Sequence, residues 1–164
     1  MKACLLLGSN QGDRNSLLTQ AQSQIEQTCG HVVKASRIYE TPPWGFEADT
    51  PFLNQALLID TPFPPQELLT HCLQIESSLG RLRTHDNNHP YTTRPIDIDL
   101  LFYENTICQT PHLTLPHPRL HLRRFALEPM AEVAPDWVHP LIGRTGREIL
   151  LTLRDESPTQ FCTI

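Results

Sequence analysis

The chain has 164 residues, enough for one domain that buries roughly 70% of the surface its unfolded form would expose, so its core needs no covalent or metal staple. A net charge of −5 argues against a general nucleic-acid or anionic-membrane binder. Only Lys2 and Lys34 among the thirteen basic residues are lysines, so any grip on phosphate must come from arginine, and a Walker-type lysine loop is excluded.

Residues 3–7 read as a short buried strand, broken at residues 8–13 by a polar turn that begins Gly8-Ser9-Asn10. That opening apolar run is too short for the core of a secretion signal, and no stretch reaches membrane-spanning length. Cys4, Cys29, Cys72, Cys108 and Cys162 are odd in number and scattered, which suggests reduced thiols and a cytoplasmic protein. From Arg14 to Thr28, Leu17, Leu18, Ala21 and Ile25 recur at helical spacing behind Asp13, a suitable N-cap, and Gly30 closes the helix. Residues 31–39 and 53–60 read as a second and a third strand, separated by a Pro-rich loop, residues 41–51. A second helix, residues 65–79, starts with proline, carries Leu68, Cys72, Ile75 and Leu79 on one face, and stops at Gly80.

The next strand holds the most informative stretch, Arg94-Pro95-Ile96-Asp97-Ile98-Asp99-Leu100-Leu101-Phe102. With a period of two, Ile96, Ile98, Leu100 and Phe102 share one face of a strand that reads as central, and Asp97, Asp99 and Leu101 share the other. Carboxylates at i and i+2 lie roughly 6.5–7 Å apart, too far to hydrogen-bond each other but suited to hold divalent cations between them. Mg²⁺ in particular is held by one or two carboxylates together with substrate phosphates. After a turn at Glu104-Asn105 a hairpin is expected, residues 106–108 against 113–115, followed by helices over 125–133 and 146–154.

Strand, helix, strand, strand, helix, strand is the ferredoxin-like βαββαβ order, an α+β fold with an antiparallel sheet and both helices on one face; the hairpin and C-terminal helices are additions. Around this core lie residues that suit a charged, flat ligand. Phe52 and Asn54 share a strand face, an aromatic plate beside an amide. Glu76, Arg81 and Arg83 cluster near the end of the second helix, and Pro116-His117-Pro118-Arg119 and Arg123-Arg124-Phe125 add cations and an aromatic. An acidic pair facing several arginines in an otherwise acidic chain fits a metal-bound polyphosphate. His117 with His121, and His85 with His89, lack the frame of a zinc site. Gly8-Ser9-Asn10 reads as a simple turn rather than a phosphate cradle. A ligand-sensing or RNA-binding ferredoxin-like module and a metal-dependent nuclease stand as alternatives, each leaving part of this set unexplained.

Gly8-Ser9-Asn10, Thr41-Pro42-Pro43-Trp44-Gly45, Phe52-Leu53-Asn54, Glu76 with Gly80-Arg81-Leu82-Arg83, Arg94-Pro95-Ile96-Asp97-Ile98-Asp99, and Leu115-Pro116-His117-Pro118-Arg119 with Arg123 and Phe125 together resemble the 6-hydroxymethyl-7,8-dihydropterin pyrophosphokinases of folate biosynthesis. The resemblance implies a single pterin pyrophosphokinase domain over residues 1–164 that transfers pyrophosphate from ATP to the pterin hydroxymethyl group and leaves AMP. It implies two Mg²⁺ ions on Asp97 and Asp99, and Arg81 and Arg94 beside them in catalysis. It assigns Arg81, Arg83, Arg94, Leu100, Thr114, His117 and Arg123 to ATP, and Thr41, Pro43, Trp44, Phe52, Asn54 and Phe125 to the pterin. It further implies a monomer with no nucleic-acid or membrane partner. The segment 84–93 departs from the family pattern, having Tyr91 but no arginine next to it, and is expected to move until ligand binds.

Overall fold

The computed structural model describes residues 1–43, 50–81, 95–154 and 158–162. Along the chain run β1 (Lys2–Ser9), α1 (Arg14–Thr28), β2 (His31–Ala35), β3 (Tyr39–Thr41), β4 (Phe52–Asp60), α2 (Pro65–Ser78) and β5 (Asp97–Tyr103). A hairpin of β6 (Cys108–Gln109) and β7 (Thr114–Leu115), then α3 (Arg124–Val133), α4 (Gly146–Thr152) and β8 (Gln160–Phe161) complete it. The main sheet runs β5-β1-β4-β3-β8, with β2 also on β4, and every pairing is antiparallel. This is the expected ferredoxin-like order, with the second strand in two pieces.

Local chemistry accounts for the element ends. The Asp13 carboxylate accepts from Ser16 N at 3.0 Å and starts α1. α2 begins on a proline, whose missing N–H costs nothing at a first helical turn. Gly80, at φ +93, lets the chain leave α2 in the left-handed region and fold back, so that Arg81 N donates to Glu76 O at 3.0 Å. Thr145 and Glu148 cap α4 reciprocally.

The sheet is covered on both sides. Leu5, Leu7, Leu57 and Ile98 pack under α1 and α2 with Leu18, Ile25, Leu68 and Ile75. On the other face Leu6, Ala56, Leu101 and Phe102 meet Leu127 and Met130 of α3 and Ile149 of α4. Both helices of the core motif therefore lie on one face, as expected, and α3 with α4 cover the other. Glu132 fastens α3 to the sheet: it accepts from Tyr39 Oη at 2.7 Å and from Arg37 N at 3.1 Å. Burial and that carboxylate push the Tyr39 phenol up to about 12, so it stays a donor.

Four sequence expectations need correction. The strand expected over 31–39 is broken because residues 36–38 face only two residues of β4, and Ser36 holds the break by donating its N–H to Ala56 O and accepting from Ala56 N through Oγ, both at 2.9 Å. Gly8 and Ser9 are not a turn but the end of β1, paired on β4 with Asn54 and Leu53. β5 is an edge strand, not a central one. Its run from Leu100 to Tyr103 is apolar because helices cover both faces, and the 113–117 segment runs along its outer side, where His117 N donates to Leu101 O at 2.8 Å. Finally, Phe102 does not share the face of Ile98. The register slips at Leu101, with Cys4 opposite Phe102 and Leu5 opposite Leu100, and this extra residue sends Phe102 to the α3 side, where it stacks on Trp137 with ring centroids 4.2 Å apart. β8, which adds to the β3 edge, carries no sequence signal that foretold it.

Candidate active site

The site grows from one row across the sheet. Gly8 of β1 pairs with Asp97 of β5 on one side and with Asn54 of β4 on the other, and Tyr39 of β3 pairs with Asn54 beyond. In the next row Leu6 stands between Asp99 and Ala56. Directly paired residues share a face, and Leu6 and Ala56 pack on the α3 side, so Asp97, Asp99 and Asn54 all project there.

At the acidic end, Arg81 forms ion pairs with Asp97 and, at 2.6 Å, with Glu76. The Glu76 carboxylate, 1% exposed, also accepts from Ile98 N at 2.8 Å, between the two aspartates. Burial works against the Arg81 charge, but Asp97, Glu76 and Asp99 outweigh it and hold the guanidinium pKa above its ordinary value. Asp99 thus lies within electrostatic reach of Arg81 as well. Neither aspartate is fully buried. Two half-buried carboxylates on one face, next to an arginine held by ion pairs, fit the oxygen-donor set that Mg²⁺ shares with phosphates.

His117 completes this end. Its Nδ1 accepts from Arg119 N at 3.2 Å, which leaves Nε2–H as a donor. Burial and the Arg123 cation push its pKa down to about 4, against a weaker pull from Asp97. The imidazole is therefore neutral at pH 7. Between pH 6.5 and 4 the unfolded chain binds this proton and the folded one does not, so stability present above pH 6.5 is lost as pH falls toward 4, by roughly 1–3 kcal/mol. Urea melts of the parent and His117→Gln should show it as a shallower acid slope in the variant; equal slopes would contradict it.

At the other end, Asn54, 3% exposed, donates from Nδ2 to Thr41 Oγ1 at 2.8 Å, with half-buried Phe52 paired to Thr41. Pro43 follows just beyond Thr41. Phe125 lies in the first turn of α3, with the Arg123 guanidinium 5.6 Å from its ring centre. Leu100 is 5% exposed and its side chain belongs to the α1–α2 core, so it can offer a ligand little beyond main chain. Thr114 lies on β7, against β5. Trp44, Arg83, Arg94 and the segment 84–93 lie outside the described residues. His121 does not join His117; its ring meets that of His139, centroids 6.2 Å apart. Among the described residues no three His, Cys, Asp or Glu side chains converge as a metal cluster. The charge cluster at the end of α2 does not by itself give Glu76 a role. The available signal was a glutamate on the apolar face of α2, beside Cys72 and Ile75.

Comparison with known proteins adds the chemistry. Among solved structures, an HPPK-DHPS crystal structure described as in complex with substrates matches with a TM-score of 0.73 at 16% identity. The chain spans 43% of that longer chain and 92% of itself is covered. Among curated proteins, the 2-amino-4-hydroxy-6-hydroxymethyldihydropteridine pyrophosphokinase of Porphyromonas gingivalis is 44% identical over 83% of this chain and 92% of its own. That of Methylorubrum extorquens is 44% identical over 93% of both. These relatives define the class as pyrophosphokinases, ATP-using transferases. Residues 4–135 match the 7,8-dihydro-6-hydroxymethylpterin-pyrophosphokinase (HPPK) family, and the chain belongs to it. Its activity is that of a pyrophosphokinase in folate biosynthesis, which sets aside the sensor, RNA-binding and nuclease alternatives.

Proposed function

We propose that the α3-facing row is where this chain carries out its family's reaction on ATP and 6-hydroxymethyl-7,8-dihydropterin. The single observation that supports it best is the co-facing of Asp97, Asp99 and Asn54 across Gly8, with Arg81 held on the acidic end. The pterin hydroxyl oxygen bonds to the β-phosphorus of ATP and gives up its proton to solvent, the bond from that phosphorus to the α,β-bridging oxygen breaks, and AMP departs with those electrons. Asp97 and Asp99 would hold two Mg²⁺ ions, which supply neutralisation of phosphate charge when bound. Arg81, Arg83, Arg94, His117 and Arg123 bind and orient the triphosphate, the arginines as charged forks and His117 through its Nε2–H. Leu100 and Thr114 flank the nucleotide. Phe52 and Phe125 stack on the heterocycle, Asn54 reads its edge, and Thr41, Pro43 and Trp44 line it. Positioning and charge complementarity are the main tasks in such a transfer.

Residues 1–164 are read as one such domain, working as a monomer in the cytoplasm; among the described residues no helix is long and apolar enough to cross a membrane. The test is AMP formation from ATP, which should require both Mg²⁺ and hydroxymethyldihydropterin. AMP released without the pterin, or turnover unaffected by chelation, would overturn the reading. Light scattering at assay concentrations checks the monomer.

A further inference from the structure

Gly8 stands where the two ends of the row meet, and its backbone does not call for glycine, since its φ is not positive. Space does. A Cβ at this position would lie 3.3 Å from Asn54 Oδ1 and 3.7 Å from Phe52 Cδ1. The first contact is tighter than a methyl carbon and an amide oxygen ordinarily make, so one of the two would have to yield. The amide has little freedom to do so: it is buried, and its Nδ2 is committed to Thr41 Oγ1 at 2.8 Å.

We infer that Gly8 is a positioning residue for the pterin-reading amide: its bare α-carbon leaves room for the Asn54 carbonyl oxygen in the orientation that Thr41 fixes by accepting from Nδ2. This rests on the reading of Asn54 given above. An amide with one N–H spent on Thr41 keeps one N–H and its carbonyl, a donor next to an acceptor. That pair complements a ring carbonyl beside a ring N–H, the lactam edge of an amino-oxo heterocycle. A side chain at position 8 displaces the carbonyl or turns the amide over, and turning it exchanges donor for acceptor toward the ligand. Gly8 thereby sets specificity without touching the substrate.

The test is a cycle of Gly8→Ala, Asn54→Ala and the double variant in the full chain, with Thr41→Val beside it, reading melting temperature, kcat and both KM values. Gly8→Ala should melt within about 4 °C of the parent. It should raise the KM for hydroxymethyldihydropterin about tenfold, the effect of one mispositioned hydrogen bond, and leave that for ATP within about twofold. In the Asn54→Ala background the same change should cost less than about twofold, because the methyl no longer meets an oxygen. Thr41→Val, which frees the amide and leaves position 8 untouched, should raise the pterin KM selectively. A parent-like pterin KM in Gly8→Ala, equal losses in both backgrounds, or a parent-like Thr41→Val overturns the role of Gly8 while Asn54 keeps its own. An unchanged pterin KM in Asn54→Ala overturns the site reading and this inference together.

Discussion

Asp97→Asn and Asp99→Asn should each remove most turnover, on the order of 10³-fold or about 4 kcal/mol of barrier, while the protein stays folded. Substituting an amide keeps the shape and some oxygen donation but removes the charge that a hard divalent cation requires. Folding should survive because neither carboxylate is at the bottom of the core, and Arg81 retains Glu76 when Asp97 is neutralised. Asp97→Asn also loses the ion pair with Arg81. Steady-state rates at saturating Mg²⁺, with circular dichroism for the fold, decide the matter. Near-normal turnover in both would dismiss the metal assignment.

Glu76→Ala should lower stability by about 2–4 kcal/mol and also depress activity, whereas Glu76→Gln should recover much of the stability. The carboxylate is buried, anchors Ile98 N between the two aspartates and pairs with Arg81, so its removal strands a main-chain donor and weakens the hold on a buried guanidinium. Gln can still accept from Ile98 N but cannot neutralise Arg81. Chemical denaturation of the three proteins separates hydrogen bond from charge. If Ala and Gln proved equally mild, Glu76 would not be what aligns the start of β5.

Much of the site was legible because its signals are local. Strand alternation alone put Asp97 and Asp99 on one face, and their pairing with Leu6 and Gly8 bears out that shared orientation. Helical spacing and caps delimited α1 and α2 to within a residue or so. The failures also have a common cause. The break at Ser36 and the bulge at Leu101 arise where two strands of unequal residue count are matched, and neither strand's own sequence records its partner's count. β5 looked central because apolar residues report coverage of faces, not occupancy of the hydrogen-bonding edge.

By itself the sequence determined which chemical groups this protein owns and in what local phase they stand: paired acids on a strand, arginines in place of lysines, an amide beside an aromatic, and the order of helices and strands. These follow from periodicities that repeat within a few residues. Only the tertiary structure decided that Asp97 and Asn54 stand on the same face on either side of a glycine, that Glu76 reaches the main chain of β5, and that α3 closes the second face. Those relations depend on cross-strand register and packing between segments distant in the chain, where the energy of pairing, not the phase of any one segment, selects the outcome.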